Sequence, residues 1–510
     1  MQNQNTKILK NTIFLYIRMV VILIIGLYTT RVILHSLGII DYGIYSIVGG
    51  LVLLSSFLTS SLSTATSRFF SISEKLTLEK RVILFNTSHY IHICLGLLIV
   101  VFLETFGLWY LNNHLNIPIH RLDAANFVFH LIVLTTFFTI TNVPFDALII
   151  SNEKMSVYAY FSIIEAIFKL ITSYIVYYTD SDKLILYSIS ICLTTIIIKI
   201  MYILYCMRNF QECSFKLYFS LTEFKKIMSF FLWDLYGNFS VVVRTNGTDI
   251  IQNKFFGVAI NATIGLTNQV NIGLMILSQN FMTAVRPQIL KSYSQGDYKR
   301  TLELVLISSK LSPFLISLLS IPILVNIDFV LHLWLTSVPE YLSIFISLMI
   351  INSIISVIFL PLKFIIHAHG NIRALSLISG TILLLCIPAS YFSLTLYKYP
   401  FVPYIVFISS TIISSFISLF IVKNIFPLIN FSEFILKIFF KNILLICIIY
   451  VLTLYTLNLL PFKNNAFSFF LSIFINFSIS LIVFYTFILK KIEKEFIFNL
   501  IKEKLNRLKK

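Results

Sequence analysis

The stretch Thr12–Leu34, TIFLYIRMVVILIIGLYTTRVIL, decides the fold. A helix rises about 1.5 Å per residue, so about 20 mostly apolar residues cross the hydrocarbon core of a bilayer. This run is that long, and only Arg18 and Arg31 interrupt it. It exceeds the apolar core of a secretory signal and no A-x-A-type cleavage site follows, so it reads as a permanent span. The rest of the chain repeats the pattern. Of 510 residues, 58% are hydrophobic and 12% charged, where a soluble domain carries about 25% charged residues. Lipid solvates such a surface, and helices satisfy their own backbone groups within it.

Runs of spanning length fall near 12–34, 43–66, 86–111, 124–150, 155–178 and 184–206. Further runs fall near 227–253, 258–284, 308–327, 341–366, 372–396, 402–423, 438–460 and 466–489, with 258–284 the most polar. The expectation is an all-α polytopic membrane protein of about fourteen transmembrane helices, with no soluble domain large enough for an active site. If the N-terminus is cytoplasmic, 28 Lys and Arg lie in inner segments and 6 in outer ones. That bias orients the chain with both termini cytoplasmic in a bacterial inner membrane. It also accounts for the net charge of +17, so no nucleic-acid partner is needed. Residues 490–510 place apolar side chains on one face and lysines opposite, as expected of a basic amphipathic helix on the anionic inner leaflet.

The chain also repeats itself. NVPFDALIISNEKM (142–155) and FLPLKFIIHAHGNI (359–372) align Pro144 with Pro361, an offset of 217. TATSRFFSISEK around Arg68 matches TAVRPQILKSYSQ around Arg286 at an offset of 218. Gly and aromatic clusters, Asp41 to Tyr45 and Phe255 to Gly257, open the second span of each copy. Six spans separate the copies, so each starts on the same membrane side and the repeats are parallel. The expected divisions are an N-lobe over 1–210, a C-lobe over 211–424, a further helix pair over 425–489 and the tail over 490–510.

Several runs resemble one family. DYGIYSIVGG (41–50), ETFGLWYLNNHLNIP (104–118), NVPFDALIISNEKMSVYAYFSIIEAIFKL (142–170) and AVRPQILKSYSQGD (284–297) are similar to the polysaccharide-transporter branch of the multidrug/oligosaccharidyl-lipid/polysaccharide exporter (MOP) superfamily, which includes O-antigen flippases. The likeness covers most of the first twelve spans and is weakest over the last two. It implies two six-helix lobes around a cavity that opens alternately to either side. It also implies an undecaprenyl-diphosphate-linked oligosaccharide as substrate, an O-antigen or capsule repeat unit, with other polysaccharide-assembly proteins as partners.

Ionisable groups inside spans are costly and therefore candidates for function. Arg18 and Arg31 lie roughly 20 Å apart along the first span, and Arg244 lies in the seventh. Arginine offers a permanent charge and bidentate donors to a diphosphate, so all three are candidate diphosphate contacts; snorkelling to the nearer interface is the plainer alternative. Lys199 is expected to snorkel to the inner interface. Asn238 and Thr245 on the polar stripe of the seventh span, and Asn268 on the eighth, suit sugar hydroxyls. Asp234 and Asp249 are candidates to bind a coupling cation, H⁺ or Na⁺. Glu165 and Lys169, four residues apart, read as a structural ion pair, and Pro144 and Pro361 as hinges or simple packing kinks.

No P-loop, nucleophile elbow or metal-spaced His/Cys cluster occurs. Cys94, Cys192, Cys206, Cys213, Cys386 and Cys447 are scattered and read as apolar thiols. The chain is therefore not expected to be an enzyme, or to need a metal or cofactor. A multidrug exporter of the same superfamily is the nearest alternative, disfavoured by two arginines and no acid on the first span. A membrane polymerase or ligase is expected to need a larger outer loop than this chain has.

Overall fold

The computed structural model describes residues 2–53, 56–73, 76–114, 117–216, 218–335, 338–459 and 466–488; the expected amphipathic tail over 490–510 lies outside them. Among the described residues the regular elements are all helical. The first half holds α1 (Gln2–Leu53), α2 (Ser56–Ile72), α3 (Leu78–Phe102), α4 (Leu108–His114), α5 (Leu122–Ser151), α6 (Met155–Tyr178) and α7 (Lys183–Asn209). The second continues with α8 (Leu221–Phe256), α9 (Val258–Ser294), α10 (Tyr298–Val325), α11 (Ile327–Trp334), α12 (Leu342–His369), α13 (Arg373–Leu396) and α14 (Val402–Ile425). The chain closes with α15 (Phe431–Phe434), α16 (Lys441–Asn458) and α17 (Ala466–Val483).

Eleven of these helical stretches are long and apolar enough to cross a membrane, and the protein is a multi-pass membrane protein. Helices α8 and α9 are longer than any other but α1, yet fall outside the eleven because polar groups such as Asp234, Arg244, Asp249 and Asn268 interrupt them.

The structure revises one expected boundary. The gap expected between 34 and 43 is a single residue, Gly38, where α1 breaks with φ 72° and ψ 174°. Only glycine takes such a conformation without penalty, so helical hydrogen bonding resumes at once. Its counterpart is Gly257, φ 75°, between α8 and α9. The two glycines are 219 residues apart, matching the repeat read from sequence.

The chain divides into two units. The first comprises the residues up to Val242 with Thr283–Thr301 and Phe364–Gly380; the second comprises Val243–Met282, Leu302–Lys363 and the residues from Thr381 onward. In the first unit, Val128, Phe129 and Val133 of α5 pack with Leu111 of α4 and Leu184 of α7. At one end of this core Arg121 joins three elements. It donates to Asp41 of α1 and, at 2.6 Å, to Asp182, which caps α7 by accepting from the backbone of Leu184 and Ile185. The hydrogen bond from Arg121 holds the Asp182 carboxyl below the usual carboxylate range. Its contribution to stability is complete above the unfolded value of about 3.9 and is lost as pH falls through the lowered folded value. Melting of the detergent-solubilised chain is therefore expected to fall modestly as pH drops below about 4, and less so in Arg121→Gln. Identical pH curves for the two proteins would show that this contact adds nothing.

The opposite ends of α5 and α12 carry a second arrangement. Beyond α5, Glu153 adopts φ 59°, unusual for a residue with a side chain. It is 4% exposed, accepts from Gln288 Nε2 at 2.5 Å and faces Lys291 Nζ at 3.3 Å, while its carbonyl accepts from Asn11 at 3.2 Å. Beyond α12, Gly370 adopts φ 97°. There Arg68 donates through Nε to the His367 carbonyl and through Nη2 to that of Ala368. Glu153 and Gly370 are 217 residues apart, the offset of Pro144 and Pro361. The contacts are reciprocal across the repeat, because α2 of the first copy holds the end of α12 while α9 of the second holds the turn after α5. Both contacts lie within the first unit.

In the second unit, the C-terminal pair is joined to α10. Asn442 donates to the Ser309 carbonyl at 3.0 Å, Asn476 to that of Leu318 at 3.0 Å, and Asn326 to Ser472 Oγ at 3.0 Å. Phe314 and Ile321 pack against Leu445, Ile449 and Val483 around these bonds.

Candidate functional site

The structure distributes the candidate residues over three places. The first is a cavity of about 870 Å³ in the first unit, lined by residues of α1, α5, α6 and α7. That volume lies within the range of about 300–1,000 Å³ typical of small-molecule sites. Apolar residues hold each helix in the core, and the charged groups between them point into the space left over. Arg18 lies there with its guanidinium 4.6 Å from the ring centre of Tyr158. Glu165 and Lys169 line the same space and meet at 2.7 Å. Lys199 Nζ is 3.8 Å from Asp146 and 5.5 Å from the Tyr202 ring centre. The charge of Lys199 is thus met by a carboxylate and a ring face within the cavity. No spacing along the chain brings Asp146, Tyr158, Lys199 and Tyr202 together, because the packing of three different helices does so. Thr135, Thr136 and Thr139 of α5 complete a hydroxyl-bearing wall.

The second place surrounds Asp234, also in the first unit. Asn238 donates to Asp234 at 2.9 Å and to Ser61 Oγ at 2.7 Å. His367 Nε2 lies 3.9 Å from Asp234. Arg286, the repeat partner of Arg68, donates to the Thr64 carbonyl at 3.4 Å and stands 5.6 Å from the Phe364 ring centre. This carboxylate thus accepts from an amide and has the His367 imidazole beside it.

The third place is in the second unit. Arg244 is 7% exposed; it donates to Ser410 Oγ and Thr411 Oγ1, each at 3.0 Å, and stacks 3.6 Å over Phe407. These partners are neutral hydroxyls and a ring face. One turn on, Thr245, Asp249 and Asn268 face a space of about 20 Å³ with Gln252 and Tyr404, room for about one water rather than a sugar. Arg31 is exposed and is not part of the lining of the cavity around Arg18. Pro144 and Pro361 are buried within α5 and α12, which run on past them. Among the described residues no group of His, Cys, Asp and Glu is arranged to hold a metal ion.

No family model and no curated protein matches the chain. Solved structures do. A MATE protein carrying a single proline-to-alanine substitution superposes with a TM-score of 0.71 at 11% identity, covering 83% of this chain and 96% of that one. A MOP-superfamily transporter from Pyrococcus furiosus, whose binding pocket of reverse polarity is said to suggest a different function, gives 0.66 at 13% identity over 84% of this chain and 96% of that one. A multidrug-resistance MATE transporter of the MOP superfamily in an outward-facing conformation gives 0.65 at 14% identity over 83% and 96%. The chain has the MATE-like fold of MOP-superfamily transporters.

Proposed function

We propose that this chain is a transporter that moves a lipid-linked oligosaccharide bearing a diphosphate from the inner to the outer leaflet of a bacterial inner membrane. The observation that carries this reading is the cavity around Arg18. It holds Arg18, Lys169 and Lys199 against Asp146 and Glu165, so once the two ion pairs are counted Arg18 keeps its charge. Arg244 likewise meets hydroxyls and a ring face in α14. Arg18 is half-buried and Arg244 buried, and a cation with neutral neighbours stabilises an anion brought to it to the extent that its desolvation has already been met. The threonine and tyrosine walls beside Arg18 suit sugar hydroxyls. Since the Pyrococcus furiosus relative is described as having a pocket of reverse polarity, the fold by itself does not dictate the charge of the cargo.

The lipid tail stays in the bilayer while the headgroup crosses in a polar space that opens alternately to each side, and no covalent step is needed. In this reading the eleven apolar stretches together with α2, α8 and α9 make fourteen spans, arranged as two parallel six-helix repeats and a final pair with both termini cytoplasmic. In this reading Asp234 and Asp249 exchange a coupling cation, H⁺ or Na⁺, and other polysaccharide-assembly proteins are the expected partners.

The test is complementation of a strain lacking its oligosaccharide flippase, with lipid-linked units assayed on each membrane face. Arg18→Gln is expected to lower transport about tenfold, the loss of one charge-assisted contact worth about 1.4 kcal/mol, with Arg18→Lys retaining part of it. Full transport by Arg18→Gln at normal protein level would sink this assignment. A multidrug-export reading rests on Asp146 and Glu165, which line the same cavity and suit a cationic drug; export of cationic dyes without movement of lipid-linked units would favour it.

A further inference from the structure

A second cavity in the first unit, about 1050 Å³ in volume, is one the sequence does not single out. Its lining includes Arg68, Lys80, Lys225, Lys226 and Arg373 but one carboxylate, Glu223. Lys226 meets Glu223 at 2.7 Å, so that pair is neutral. The other four cations have no carboxylate partner among the described residues. Two of them are held in place. Arg68 is fixed by the His367 and Ala368 carbonyls, and Arg373 lies 5.3 Å from the Trp233 ring centre. Lys80 and Lys225 are exposed and free to reach a ligand. The remaining wall is mostly aromatic and aliphatic, with Phe69, Phe230 and Trp233 facing the same space and Ser220, Ser229 and Asn371 as its polar members.

A basic rim over an apolar wall matches an amphiphile rather than a free sugar or a polynucleotide. Guanidinium forks and lysine point charges recognise phosphate oxygens, and the apolar wall accommodates the first carbons of a chain. The turn at Gly370 and Asn371 borders the cavity, so the C-terminus of α12 holds Arg68 while leaving the rim open. All five cations belong to segments that the distribution of Lys and Arg places on the cytoplasmic side.

We infer that this cavity is a docking site for the phosphate or diphosphate headgroup of a prenyl-linked lipid, where cargo is collected before it reaches the space around Arg18. This rests on the reading of the chain as a carrier of such a lipid. Trp233 supplies the probe. The full chain carrying Trp109→Phe and Trp334→Phe keeps Trp233 as its one tryptophan, and is titrated in phosphatidylcholine nanodiscs with farnesyl diphosphate, farnesol or inorganic pyrophosphate. Farnesyl diphosphate is expected to change Trp233 fluorescence saturably, with farnesol silent and pyrophosphate at least about tenfold weaker. Combining Lys80→Gln, Lys225→Gln and Arg373→Gln is expected to weaken binding by about a hundredfold, whereas Lys423→Gln, which is not part of the lining, leaves it unchanged.

Absence of a saturable signal, or full affinity in the triple variant, overturns the assignment. Pyrophosphate binding as tightly as farnesyl diphosphate would make this a site for free phosphate anions and overturn the lipid assignment. Saturation by phosphatidylglycerol in the nanodisc would assign it to bulk membrane lipid and overturn the cargo role. Intact binding with no transport in the complementation assay defeats the transporter reading alone. Intact transport by the triple variant with its binding lost defeats this inference alone.

Discussion

Gly370→Ala is expected to destabilise the chain by about 2–4 kcal/mol, from backbone strain of about 1–3 kcal/mol and the disturbance of a buried, hydrogen-bonded cation. The first part follows from φ 97° at this turn, and the second from Arg68, whose guanidinium occupies the space an added Cβ would need. Because the two parts differ in origin, a double-mutant cycle separates them. Arg68→Ala alone loses the bonds to the α12 carbonyls. In the double variant the collision is gone, so the combined cost is expected to fall short of the sum by about 1–2 kcal/mol. Thermal or SDS-induced unfolding of the purified proteins measures all four corners. Strict additivity would show that the arginine yields without cost and that backbone strain acts alone.

Removal of the last two helices is expected to have a larger effect still. A chain ending at Phe426 leaves the carbonyls of Ser309 and Leu318 without the amides of Asn442 and Asn476. It also uncovers Phe314 and Ile321, which pack against Leu445, Ile449 and Val483. Interhelical hydrogen bonds in membranes are worth about 0.6–2 kcal/mol each, so the Asn442→Ala/Asn476→Ala protein is expected to fold with a lowered melting point. The truncated chain is expected to lose its monodisperse peak in size-exclusion chromatography. If it elutes and melts like the full chain, the pair is an appendage and the bonds to α10 are incidental.

The membrane character and the repeat are legible in the sequence because both depend on patterns along the chain. Apolar runs of spanning length appear as apolar helices, and Pro144 and Pro361 anchor an offset that recurs in the backbone at Glu153 and Gly370. The break at Gly38 is harder to see, since a glycine within an apolar run looks like any other until its φ is known. The site is less legible for a different reason. Arg18 stands out as a charge in a span, but its neighbours Tyr158 and Lys199 come from α6 and α7, and only packing joins them. Arg68 is harder again. It reads as one of many inner cations and shows its role only where α2 meets the end of α12. The polar stripe of the seventh span reads as one surface, yet Asn238 bonds within the first unit and Arg244 within the second.

The two turns beyond α5 and α12 also show how the two repeats differ. A chain that was only a doubled half would carry the same residue at both, with a single set of neighbours serving each. Here one turn has the conformational freedom of glycine and is met by an arginine from α2. The other accepted a strained glutamate and reaches outward to Gln288, Lys291 and, through its backbone, Asn11. The two turns are thus held by complementary rather than equivalent partners, so the same substitution made at both would have opposite consequences for the groups that meet them.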